Sequence, residues 1–177
     1  MERIEYSGIV FWRSGGSRGA KWAYPGGLLA EDNLQKTLND LYAKTLNPDN
    51  MDYESLLNCG DEFKESGSLG LAVQYYEYAA RVSSMRQLQH IFPRLTSCYR
   101  TQMRPQKVID LTVRAKEKFG SSVITPALLT STAAAYCDLR DYKRAKQCCD
   151  RAYAMLNGKA DDELRAVYRR LQSEWGE

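Results

Sequence analysis

Small residues recur along this chain at fixed distances from aromatic ones, and that pattern restricts the fold more than any other feature. Leu56, Gly60 and Phe63 form one set, Phe92, Thr96 and Tyr99 a second, and Leu129, Ala133 and Tyr136 a third. Phe63 to Tyr99 is 36 residues and Tyr99 to Tyr136 is 37. Downstream of each set comes a companion: Ala72, Tyr76 and Ala79; Val108, Thr112 and Ala115 in degraded form; Ala145, Cys149 and Ala152. Spacings of three and four place each set on one helix face. The small residue then lets a second helix approach closely. Each unit is therefore a helical hairpin, and a hairpin cannot bury its apolar face alone, so hairpins must stack.

This pattern resembles the tetratricopeptide repeat family over about residues 53–157, most clearly in Tyr136-Cys-Asp-Leu-Arg-Asp-Tyr-Lys-Arg-Ala145. The resemblance implies an all-α fold: a short right-handed α-solenoid of three stacked hairpins plus a C-terminal capping helix, with a small N-terminal β-hairpin-like arm. The expected organisation is an arm over 1–27, an amphipathic helix over 28–47, three hairpins over 48–160 and the capping helix over 161–177. In the first helix Leu34, Leu38, Leu41 and Tyr42 point inward. In the last, Leu164, Val167, Tyr168, Leu171 and Trp175 form one stripe.

Punctuation supports these divisions. Ser68 and Asp141 are expected N-caps after hairpin turns, and Thr125-Pro126 is a cap followed by proline at the first helical position. Asn157-Gly158 ends the third hairpin. Pro93 falls inside an expected helix, which must be kinked there or begin late. In the arm, Ile9, Phe11, Trp12, Trp22 and Tyr24 flank Ser14-Gly-Gly-Ser-Arg-Gly19, the mark of a β-hairpin.

No catalytic constellation emerges, so no enzyme is expected, no cofactor and no metal. His90 is the only histidine. The Gly/Ser loop lacks the Lys-Ser/Thr ending of a phosphate loop. The five cysteines include no CxxC pair and sit in apolar helical patterns, which suits reduced, buried thiols. The N-terminus lacks a basic start and apolar segment, and no apolar run nears the length of a membrane span. The expectation is an intracellular protein, cytoplasmic or organellar after loss of a transit peptide, with no membrane partner and no small-molecule substrate.

Function should then lie on the first helices of the hairpins, in a concave groove for a partner peptide, helix or subunit of a larger complex. The candidate partner-binding residues are Asn58, Asp61 and Lys64, then Arg94, Ser97 and Arg100, then Ser131 and Ala134. Family members that grip a chaperone's C-terminal carboxylate use Lys and Asn on these faces. The matching positions here hold Leu57 and Asp61, Pro93 and Arg94, and Ala127 and Ser131, so that clamp is absent.

Charge is uneven. Residues 89–125 carry seven Lys and Arg against two Asp and Glu. Arg104, Lys107, Arg114 and Lys118, with Arg13, Arg18 and Lys21 of the arm, form a possible patch for RNA or an acidic partner. The alternative function is therefore an RNA-associated accessory subunit of a ribonucleoprotein.

Overall fold

The structure is a computed structural model that describes residues 2–6, 8–14 and 21–176. The chain is mostly helical, with a small antiparallel sheet at its N-terminal end. It divides into two compact units, Met1–Tyr78 and Ala79–Glu177.

The first unit opens with strands β1 (Arg3–Tyr6), β2 (Ile9–Ser14), β3 (Lys21–Tyr24) and β4 (Gly27–Ala30), paired antiparallel in chain order. The expected hairpin is β2–β3, in which Arg13 pairs with Trp22; its connecting residues lie outside those described. The arm is larger than the hairpin expectation because β1 and β4 extend the sheet on both sides. β4 also corrects the start of the first helix. Pro25-Gly26 is a two-residue turn after β3, so residues 27–30 pair as a strand and the helix α1 runs only over Leu34–Thr45.

Alternation sorts the sheet into two faces. Phe11 and Trp22 are buried on one, and Tyr24 stacks on Phe11 at 5.2 Å. Trp12 and Leu28 are exposed on the other. The buried Trp22 indole N–H has no acceptor among the described residues.

Helices α2 (Tyr53–Glu65) and α3 (Leu69–Val82) make the first hairpin, and α3 runs past the boundary between the units. Asp52 caps α2 by accepting from the Ser55 N–H. Gly60 earns its place: a Cβ there would meet the Tyr76 ring at 2.5 Å, and the Tyr76 hydroxyl donates to Asp61 at 2.6 Å. The Phe63 ring is 5.2 Å from Tyr75 and 5.9 Å from Tyr42 of α1. The inward leucines expected of α1 are only half-buried. Its buried residue is Asn39, whose amide donates to the hydroxyls of Ser66 and Ser68 at 2.8 and 2.7 Å. α1 is thus fastened to the hairpin turn through hydrogen bonds, which an apolar stripe does not reveal.

The second unit holds two hairpins and a last helix. These are α4 (Met85–Thr101) with α5 (Pro105–Phe119), α6 (Pro126–Asp138) with α7 (Tyr142–Met155), and α8 (Asp162–Trp175). α6 packs on both helices of the preceding hairpin and, with α7, on α8. Thr112 on α5 shares a 2.9 Å hydrogen bond with Thr132 on α6. The small positions Ala133, Ala145, Cys149 and Ala152 are fully buried. Thr125 and Asp141 cap α6 and α7 as their sequence positions imply, and Asp161 caps α8. Ser84 and Gln87 form a reciprocal capping box that starts α4 eight residues before Pro93. α4 therefore does not begin late, and Pro93 sits in its middle.

Candidate functional site

A groove of about 540 Å³ runs between α4, α6 and α8 in the second unit. Each helix supplies a wall because its other face is committed to the core. α4 buries Leu88, Ile91, Phe92, Leu95 and Tyr99, which turns Pro93, Ser97, Arg100 and Thr101 outward. α6 is apolar nearly all round, and its groove positions are the small Thr130, Ser131 and Ala134. α8 buries Leu164, Val167 and Leu171 and presents Glu163, Ala166 and Arg170.

One carboxylate organises the charged end. Asp138, at the end of α6, accepts from Arg100 Nε at 3.0 Å through one oxygen and from Arg170 Nη1 through the other. Arg170 Nε also donates to Glu174 at 2.6 Å. Burial alone would push the Asp138 carboxyl up, but the two guanidiniums outweigh it and hold it below its ordinary value. Arg170 in turn is raised, first by its hydrogen bond to Glu174. The Nη groups of Arg100 and the hydroxyls of Ser97 and Ser131 have no hydrogen-bond partner among the described residues. The groove thus offers fixed donors, held by an ion-pair network behind them.

The structure gathers four of the eight candidate partner-binding residues here: Ser97, Arg100, Ser131 and Ala134. Arg94 lies outside the lining, with Nη1 3.4 Å from His90 Nε2 one helical turn back. Asn58, Asp61 and Lys64 belong to α2 in the first unit. Asn58 and Lys64 are exposed there, while Asp61 is occupied by Tyr76. Asp138, Glu163 and Arg170 were not expected at the groove. Arg170 reads as the polar back of a capping helix, and only the 32-residue link to Asp138 shows its role.

The candidate basic residues fall in both units. Arg104, Lys107, Arg114 and Lys118 share one side of α5 by spacing, yet several are engaged. Lys118 Nζ donates to the carbonyls of Arg81 and Ser83 at 3.1 and 3.4 Å, capping the end of α3. Lys107 lies over the Tyr99 ring at 5.8 Å. In the arm, Arg13 is claimed by Glu31 and Glu2 at 3.1 and 3.2 Å. Lys21 is exposed, and Arg18 lies outside the described residues.

All five cysteines are free thiols, four buried and Cys148 half-buried. Burial pushes the Cys149 thiol up to about 12, far from thiolate at neutral pH. Among the described residues no three of His, Cys, Asp and Glu gather as a metal ion would need. No helix there is long and apolar enough to cross a membrane. No protein-family model matches the chain, and a search of curated proteins finds no match to it.

Proposed function

We propose that this chain is a non-catalytic protein–protein interaction module, an adaptor or scaffold subunit of the tetratricopeptide type. In this reading its three hairpins and capping helix form a short right-handed α-solenoid, and a partner segment sits between α4, α6 and α8. The groove itself carries the proposal. Its volume of about 540 Å³ suits a few residues of extended peptide, and Arg100, Ser97 and Ser131 present donors that no described residue takes. The small side chains of Ser131 and Ala134 leave the space open.

Peptides selected from a random display library on the wild-type chain provide the test. Ser97→Trp fills the groove from an exposed position and leaves the Asp138 ion pairs intact. Selected peptides should bind that variant at least about tenfold more weakly, with an unchanged melting temperature. Failure to select any peptide, or indifference to Ser97→Trp, counts against the proposal.

The RNA alternative draws less support. Trp22 is buried, Tyr24 is half-buried against Phe11, Arg13 and Lys118 are engaged within the protein, and Trp12 alone of the arm's tryptophans is exposed for stacking.

A further inference from the structure

The turns after α2, α4 and α6 share one backbone design but not one residue type. Each helix closes with a hydrogen bond from two residues past its cap back to an aromatic residue: Ser68 N–H to Phe63, Arg104 N–H to Tyr99 and Asp141 N–H to Tyr136. Each needs a left-handed residue just before that donor. The first turn uses Gly67, at φ 84. The second uses Met103 at φ 57 and the third Arg140 at φ 60. A side chain in that conformation is strained, and glycine would relieve it. Neither large side chain repays the strain through packing. Met103 is 86% exposed, and Arg140 is exposed beside Leu139, itself 44% exposed.

The two turns lie together. The Arg100–Asp138 pair joins the last turn of α4 to the last turn of α6, and both turns begin within three residues of it. The two segments that meet here, 100–107 and 138–144, carry six cations (Arg100, Arg104, Lys107, Arg140, Lys143 and Arg144) against two carboxylates, Asp138 and Asp141, which pair with Arg100 and Arg144. The side chains of Arg104, Arg140 and Lys143 make no hydrogen bond or ion pair with any described residue. Twice, then, an exposed apolar side chain stands next to an unpaired arginine: Met103-Arg104 and Leu139-Arg140.

We infer that this edge docks on an anionic lipid surface, as a peripheral contact with no spanning helix. This departs from the expectation of no membrane partner, which rested on the absence of an apolar span. Met103 and Leu139 enter the headgroup layer while the neighbouring cations meet lipid phosphates and carboxylates. Nucleic acid would engage the cations but leave Met103 in water. It would also find no free aromatic face here. Tyr99 lies under Lys107, Tyr136 under Arg144, and Tyr142 stacks on Trp175.

Co-sedimentation of the full chain with vesicles tests the assignment. Binding is expected to vesicles containing about one-third phosphatidylserine, absent on pure phosphatidylcholine, and weakened about tenfold by about 0.3 M salt. The double variant M103G/R140G relieves strain and so keeps the fold. It should lower the affinity for anionic vesicles about tenfold, with a melting temperature no lower than wild type. Three outcomes overturn the assignment: no binding to anionic vesicles at low salt, equal binding to neutral ones, or affinity untouched by the double variant. Binding of a homopolymeric RNA that M103G/R140G abolishes, without vesicle binding, assigns the edge to nucleic acid instead and equally overturns it.

Discussion

Gly60 of α2 faces the Tyr76 ring of α3 so closely that a single added methyl would sit 2.5 Å from two of its carbons. The ring cannot swing aside freely, because its hydroxyl is bonded to Asp61 one residue further along α2. Gly60→Ala should therefore destabilise the first unit by about 1–3 kcal/mol, despite alanine's better helix propensity. A urea titration monitored by helical circular dichroism checks this. An unchanged midpoint would mean that the two helices do not depend on the close approach.

Ala145 tests the same principle in the third hairpin. It is fully buried on α7, and arginine there would need both volume and water for its charge. Ala145→Arg is expected to lose at least about 3 kcal/mol and most of the cooperative melt of the second unit.

The Asp138 network gives stability a definite pH dependence. A carboxylate held below its ordinary value stabilises the folded state at pH values above the unfolded value of about 4. That contribution fades as pH falls through the depressed folded value. Since Arg100 is 42% accessible and Asp138 25%, the pairing is worth only about 1 kcal/mol. Asp138→Asn should lower stability by that amount at pH 7 and by much less at pH 3. A loss equal at both pH values would show that charge is not what Asp138 contributes.

Met103→Gly makes a prediction of opposite sign. Relief of the left-handed strain outweighs the greater freedom of glycine in the unfolded chain, so the variant should gain up to about 1 kcal/mol. A lower melting temperature would show that Met103 packs in a way its exposure does not reveal.

What the sequence discloses about this molecule follows the range of the interactions involved. Caps such as Asp141 and Thr125 depend on partners three residues away, so local spacing suffices to place them. The groove residue Ser97 follows from periodicity, because the opposite face of α4 is plainly apolar, whereas Ser131 follows only from its place in the repeat, since α6 is apolar nearly all round. The joining of Arg100 and Arg170 through Asp138 spans 38 and 32 residues and leaves no periodic trace. β4 escaped for a different reason. Leu28 and Leu29 continue into the leucine spacing of α1, and only the Pro25-Gly26 turn signals that the chain reverses first. Asn39 shows the limit of reading burial from hydropathy, since its place in the core depends on two hydroxyls in a distant turn.

The placement of the thiols has a practical consequence. With four of five sulfurs withdrawn from solvent, a native molecule offers an alkylating reagent at most the half-covered Cys148, whereas an unfolded one offers all five. A brief pulse of reagent followed by intact mass measurement therefore separates native from opened molecules by their number of adducts. Because the buried thiols lie on α2, α4, α6 and α7, peptide mapping of the intermediate masses would report which segments open first.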